Sequence, residues 1–391
     1  MEANTRWLLP EGVDELLPPE ASQAEALRRR LLERLEAWGY ELVMPPVIEY
    51  LDALLTGTGR DLDAQTFKVT DQLSGRTLGV RPDITPQAAR IDAHQLRREG
   101  VTRLCYAGST LQARAEGPAA SRNATQVGAE LYGHAGVASD QEIISLMLDT
   151  LRQAGVEGLH LDIGHVGIFR ALLDELDLPQ AAEEALFEAL QRKAGDEVAT
   201  VLADAGVEAR RADRIRALAG LHGGDEVLEQ ARDVLAGAGS SVTEALEALR
   251  TVTEGLRERE PETPLHYDLA ELRGYRYHTG VVFAAYTPGY GEEVARGGRY
   301  DGIGRAFGRP RPATGFSTEL KTLLQLGGGH GGAAYGGILA PWGHDPALLS
   351  RVEALRAAGE RVVWQLPGDS ARHGCDRRLV ARDGEWTIEQ E

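Results

Sequence analysis

Stretches with strand character recur along this chain, and few of them have a crossover helix between them. They are Tyr40–Met44, Gln65–Val69, Thr77–Val80, Arg103–Ala107, Gln126–Tyr132, Leu159–Ile163, Val281–Tyr286 and Glu293–Ala295. Parallel neighbours need a connection of roughly a dozen residues or more, usually helical. The spacing therefore predicts an α+β fold with an antiparallel sheet flanked by helices, rather than a doubly wound parallel sheet. Ahead of the first strand, Ala24, Leu27, Leu31, Leu35 and Trp38 recur at steps of three and four. That spacing predicts an amphipathic helix over Ala21–Trp38, closed by Gly39. The strand after it stops at Pro45-Pro46, which cannot donate to a ladder.

Between Ile168 and Arg259 the character changes. Leu- and Ala-rich segments, Ala182–Arg192, Glu197–Ala205, Asp225–Ala236 and Val242–Leu256, alternate with glycine breaks and carry no strand signal. The chain thus divides into a core domain over residues 1–326, interrupted by a helical insertion at about 168–259, and a Gly-rich linker at 327–332. Residues 333–391 form a small C-terminal α/β unit. Its strands are expected near Gly337–Ala340, Arg361–Leu366 and Arg378–Ala381, with a helix over Pro346–Ala358.

Composition excludes several classes. With 42% hydrophobic and 26% charged residues in 391, and no apolar run long enough to span a bilayer, the chain reads as soluble and globular. A net charge of −18 tilts against nucleic acid as the main partner, because phosphate binding runs on Lys and Arg. Cys105 and Cys375 lack metal or redox spacing, and the N-terminus carries no signal pattern. A cytoplasmic chain without metal or cofactor is expected.

Four stretches carry chemistry. In Leu78–Arg90 (LGVRPDITPQAAR), Pro82 pushes Arg81 toward an extended conformation, and Asp83 and Thr85 stand where a turn opens a helix. An Asp and a Thr at such a turn serve equally as a helix cap. In Thr125–Gly133 (TQVGAELYG), Gln126, Gly128 and Glu130 share one strand face. They are either solvent-facing or the floor of a pocket where a carboxylate and an amide hold an ammonium group. In Leu272–Phe283 (LRGYRYHTGVVF), Tyr277 and His278 can shape a small planar pocket or form an ordinary aromatic strand edge. Ala295–Phe316 is glycine-rich with interspersed arginines and looks like a phosphate loop, though it lacks the Lys-Ser/Thr of one.

Taken in this order, the stretches resemble class II aminoacyl-tRNA synthetases, specifically the histidyl enzymes, over about Pro10–Leu326. In that family a first motif ends a helix and strand at a proline, as here near Tyr40–Glu49, and builds a dimer interface. The family's Arg-Pro-Glu-x-Thr turn matches Arg81-Pro82-Asp83-Ile84-Thr85, and its Gln-x-Gly-x-Glu strand matches Gln126–Glu130. Its Arg-Gly-Leu-Asp-Tyr-Tyr-Thr-Gly matches Arg273–Gly280, with Tyr275, Tyr277 and His278 inside it; Gly-Gly-Arg-Tyr-Asp-Gly is intact at Gly297–Gly302. Two departures stand out: Asp83 is one methylene shorter than the family's Glu, and His278 replaces its second Tyr.

The resemblance also marks what is missing. Adenylate formation needs preorganised cations at the ATP α-phosphate. The family's Phe-Arg-x-Glu reads Leu111-Gln112-Ala113-Arg114 here, and its Gly-Phe-x-x-Gly-Leu-Glu-Arg reads Gly315–Thr322, with Thr322 in place of the arginine. Losing one such group costs about 3–4 kcal/mol of transition-state stabilisation, roughly a hundred- to a thousandfold in rate. The alternative is that neighbouring Arg114 and Lys321 substitute for both. The family's enzymes also end in an anticodon-binding domain larger than the roughly sixty residues that follow Gly332.

The group within the family that fits is the regulatory subunits of ATP phosphoribosyltransferase, and it implies a non-catalytic chain. Such a chain is expected to partner a short-form catalytic subunit in a hetero-octamer of four plus four, to self-associate as a synthetase-like dimer, and to bind neither tRNA nor membrane. Its ligand would be L-histidine, held by Asp83, Thr85 and Glu130 at the ammonium, with Gln126 and Tyr277 fixing its orientation. Arg273 would take the carboxylate, and Tyr275, Tyr277 or His278 the imidazole. The alternatives are an active histidyl-tRNA synthetase, a stand-alone histidine-binding protein, or a scaffold without ligand.

Overall fold

A computed structural model describes residues 7–57, 60–114, 121–176, 178–272, 274–275, 277–327 and 336–390, with the side chains of 60 and 61 left aside. The chain forms two compact units, one comprising Met1–Glu15 and Leu27–Gly328, the other Leu16–Ala26 and Gly329–Glu391.

The first helix runs over Glu20–Ala37, and its Ala24, Leu27, Leu31 and Leu35 are buried at the expected steps. Gly39 follows at φ +85, a left-handed conformation that halts the helix. Twelve strands then belong to the larger unit: β1 (Glu41–Leu42), β2 (Ile48–Tyr50), β3 (Phe67–Thr70), β4 (Thr77–Val80), β5 (Thr102–Ser109), β6 (Thr125–Tyr132), β7 (His160–His165), β8 (His222–Gly223), β9 (Leu265–Asp268), β10 (Val281–Tyr286), β11 (Ala295–Arg299) and β12 (Ala313–Glu319). Nine of them form one sheet in the order β1-β5-β6-β12-β11-β10-β7-β9-β8, and β2-β4-β3 form a small second one. The large sheet is antiparallel except for β1 with β5 and β7 with β9. Both parallel pairs have long connections, as sterics require.

One face of the sheet is covered by Val137–Gln153 and Ser240–Arg259, which bury Ile143, Met147, Leu151, Leu249, Val252 and Leu256. The expected insertion is the helical run from Val166–Asp174 to Ser240–Arg259, and it also contains Ala209–Leu218. The expectation of no strand there fails at β8, whose two residues extend the sheet edge beside β9. A two-residue strand has no period to read.

The larger difference lies at Ala295–Phe316. It is no phosphate-cradling loop: β11 and β12 pair in register from Ala295↔Thr318 to Arg299↔Thr314 around the short helix Ile303–Ala306. Glycines there leave room for neighbours, and their lack of side chains hides the strand alternation.

In the smaller unit, β13 (Ile338–Pro341) lies parallel to β14 (Val362–Gln365) and β15 (Arg377–Arg382), and β16 (Glu385–Gln390) closes the edge antiparallel to β15. Its core is Ile338, Ala340, Leu348, Val352, Leu355, Val362 and Leu379. The helix Pro346–Ala357 starts at Asp345, whose carboxylate accepts from the Ala347 N–H at 3.0 Å. Among the described residues no helix is long and apolar enough to cross a membrane.

Candidate functional site

The nine-stranded sheet carries a cleft of about 520 Å³, lined by Asp83, Thr85, Glu130, Glu271, Tyr277, His278, Arg296 and Tyr300 among others. Its wall begins where β4 ends. The Arg81 guanidinium, buried, donates to the carbonyls of Ser109 at 2.8 Å and Pro45 at 2.7 Å, and so pins the turn. Asp83 Oδ1 accepts from the Thr85 N–H at 2.9 Å and from Gln126 Nε2 at 2.8 Å; Gln126 Oε1 in turn accepts from the Ile84 N–H at 2.8 Å. Asp83 is not the helix cap: that position is Ile84, which carries no side-chain cap bond, while the Asp83 carboxylate closes the turn ahead of the Thr85–Arg90 helix and lines the cleft. Gln126 does not line the cleft; it clips the turn to β6.

Glu130 forms the floor. It is 1% exposed, and the hydroxyls of Tyr106 (3.0 Å) and Tyr300 donate to its two oxygens. Tyr106 Oη also lies 3.1 Å from Thr85 Oγ1. Its single proton points at Glu130, so Thr85 donates in that contact. Burial is the main cause that pushes the Glu130 carboxyl up to about 8; the tyrosine hydrogen bonds oppose it and the charge of Asp83 adds to it. The carboxylate reaches across Gly315, where a Cβ would lie 1.6 Å from Glu130 Oε2. Only glycine fits there.

The aromatic wall is Tyr277 stacked on Tyr300 at 4.9 Å, with His278 edge-on to Tyr277 at 5.4 Å. The Tyr277 hydroxyl is shielded from solvent and has no hydrogen-bond partner among the described residues. An occupant of the cleft with a polar ring atom would supply one. The loop bearing these side chains turns at Gly274 (φ +65), where a Cβ would meet His278 Nδ1 at 2.6 Å.

Of the residues expected from sequence, Asp83, Thr85, Glu130, Tyr277 and His278 come together in the cleft. Tyr275 points elsewhere, its ring against Phe169 and Phe187 at 5.4 and 5.6 Å. Arg273 lies outside the described residues. Sequence reasoning missed Tyr106, Tyr300 and Glu271. The intact Gly297–Gly302 stretch pointed to Tyr300, but nothing in an apolar strand singled out Tyr106.

The positions of the two absent arginines do not regain a cation. Gln112 forms a lone bridge with Thr66 outside the cleft lining. Arg114 is exposed and lines nothing in the cleft. Lys321 Nζ is held by Asp14 Oδ1 at 2.8 Å and the Asn123 carbonyl at 2.9 Å, and Thr322 donates its N–H to Glu319 at the helix start. Among the described lining residues Asp83, Glu130 and Glu271 face one permanent cation, Arg296. Such a cavity favours an ammonium group over a phosphate chain. Among the described residues no cluster of ligating side chains can hold a metal ion.

The chain is similar to known proteins over nearly its whole length. A family model described as histidyl-tRNA synthetase matches residues 12–323, and one described as the ATP phosphoribosyltransferase subunit HisZ C-terminal domain matches residues 335–389. An ATP phosphoribosyltransferase regulatory subunit of Alkalilimnicola ehrlichii is 62% identical over 97% of this chain and 96% of its own length. That of Thioalkalivibrio sulfidiphilus is 55% identical over 99% of both. A crystal structure from Bacillus halodurans, of an ATP phosphoribosyltransferase regulatory subunit/histidyl-tRNA synthetase, superposes with a TM-score of 0.83 at 28% identity, covering 95% of this chain and 96% of that one.

Proposed function

Because the chain belongs to the ATP phosphoribosyltransferase regulatory subunits, built on a histidyl-tRNA synthetase body, we propose that its synthetase-like cleft is a histidine sensor without chemistry of its own. It is a regulatory subunit of histidine biosynthesis and partners the catalytic ATP phosphoribosyltransferase subunit. In this reading the chain is needed for the activity of a short-form catalytic subunit at the first step of the pathway, and histidine bound in the cleft inhibits the complex.

One observation carries the reading. The floor and wall keep groups suited to an amino acid, Glu130, Asp83, Thr85 and the Tyr277–Tyr300 stack, while the motif positions that would meet the α-phosphate carry Gln112 and Thr322. The nearest lysine, Lys321, is committed to Asp14. The histidine ammonium would sit between Asp83 and Glu130 beside the Thr85 hydroxyl, with the imidazole against Tyr277 and His278. Arg273 is the proposed partner of the carboxylate. Gln126 acts by holding Asp83, and Tyr275 by holding the loop. Aminoacylation and tRNA binding are expected to be absent.

Assembly follows the same logic. Leu42, Met44, Val47 and Ile48, at the β1 end of the molecule, are exposed apolar residues, which supports self-association through that edge as a dimer; the arrangement of four chains of each kind rests on the family resemblance alone.

Histidine can inhibit only by favouring one arrangement of the complex over another. A coupling of about 1–3 kcal/mol gives about 5- to 150-fold inhibition. The test is calorimetry of histidine binding to the full chain together with a phosphoribosyl-ATP assay of the complex with and without histidine. Binding by the parent chain and its loss in Glu130→Ala are expected. Histidine-dependent exchange between ATP and pyrophosphate at an enzymatic rate would overturn the reading.

A further inference from the structure

The first helix of the insertion, Val166–Asp174, starts beside the cleft. Its cap, His165, accepts from the Gly167 N–H through Nδ1 at 3.2 Å, and the Val166 N–H donates to the Gly280 carbonyl at 3.1 Å. This fixes the helix against the entry to β10, and one turn on it presents Arg170. The Arg170 Nη2 donates to two carbonyls of the ligand loop, Tyr275 at 2.8 Å and His278 at 3.0 Å. Its guanidinium also lies over the Tyr275 ring, 5.3 Å from the centroid. The same ring is held by Phe169 from this helix and Phe187 from the next, Gln180–Gln191.

Among its described residues the loop forms short-range turns, Tyr275 N–H to the Leu272 carbonyl and Tyr277 and His278 N–H to that of Gly274, and its exit is anchored by the Thr279 N–H on the Arg299 carbonyl at 2.7 Å. Yet it delivers Tyr277 and His278 to the cleft on one side and Tyr275 to the insertion on the other. Arg170 straps both halves from a single nitrogen.

We propose that Arg170 is a positioning residue for the ligand: through it and the Phe169–Tyr275–Phe187 packing, the helical insertion sets the Tyr277–His278 wall of the cleft. Arg170 itself does not line the cavity. The strap therefore acts on affinity through the loop, and a shift of the insertion is felt by the ligand and, reciprocally, ligand by the insertion. This rests on the reading of the cleft as a histidine site.

The experiment is calorimetry of histidine binding to the full chain for the parent, Arg170→Ala, Arg170→Lys and Phe187→Ala, each with its thermal midpoint. Removing a charge-assisted bond to two carbonyls should weaken binding about tenfold in Arg170→Ala. Arg170→Lys keeps the charge and an ammonium with N–H donors and should recover most of that loss; Phe187→Ala, remote from the cleft, should weaken binding several-fold. Equal affinity in the parent and Arg170→Ala would overturn the proposal alone. So would an affinity loss that Arg170→Lys fails to repair while both variants melt earlier by the same amount, since that is scaffolding. No binding even by the parent chain would remove the histidine reading, and this inference with it.

Discussion

At the scale of single residues, Glu130 governs the behaviour of the cleft. Its carboxyl stands at about 8 in the folded chain against an ordinary 4.5, chiefly because it is buried, with the charge of Asp83 adding to the effect. The folded chain therefore holds a proton that the unfolded chain has lost across that interval. This contribution to stability is fully present below the unfolded value and is lost as pH rises through about 8. Urea midpoints followed from about pH 5 to about pH 9 should fall more steeply for the parent than for Glu130→Gln. A ligand ammonium reverses the preference and expels the proton. Calorimetry near pH 7 in buffers of different ionisation enthalpy should then count about one proton released from this group per histidine, vanishing near pH 9. Gly315→Ala places a methyl where the carboxylate lies, and should abolish histidine binding, read in the same titration, while the chain still folds.

At the scale of elements, the cleft is held by cross-links between segments far apart in sequence. Gln126 on β6 satisfies the Ile84 N–H and one oxygen of Asp83, about forty residues away. Gln126→Ala leaves the Ile84 N–H, in a fully buried residue, without its partner. It should cost about 1–3 kcal/mol in urea unfolding and weaken histidine binding by freeing Asp83. Most of these elements were legible in sequence. The β4, β6 and β10 strands and four of the insertion helices follow from periodicity and glycine breaks, with ends shifted by a few residues. What escaped included the helices Val166–Asp174 and Ala209–Leu218 and the strands β2, β8, β9 and β12. β8 and β9 are too short for a period, and β12 is Ala-Thr-Gly-Phe-Ser-Thr-Glu, whose small residues read as loop. The same smallness is what lets Glu130 lie across it.

At the scale of the whole molecule, the chain is an acidic protein with an apolar edge. Met44 is 85% exposed beside Leu42 at 49%, and an edge strand with such neighbours is an association surface unless something covers it. Met44→Asp should shift sedimentation of the purified chain toward the monomer without lowering histidine affinity per chain. An unchanged sedimentation profile would remove this edge from the dimer contact. The helical insertion packs on the sheet and on Val137–Gln153 through Ser240–Arg259, which is the physical link between the insertion and the sheet that carries the cleft.

Periodicity, turn residues and ordered motifs determined the α+β class, the insertion and the identity of most cleft residues, because those depend on local spacing and on which side chains share a strand face. They also determined the loss of two cations, which is a matter of residue type alone. Only the tertiary structure decided which groups meet: that Gln126 clips a turn outside the cleft lining, that Tyr275 packs against the insertion, and that Lys321 is bound to Asp14. Those outcomes depend on distances between segments separated by tens to hundreds of residues, and no local pattern encodes them.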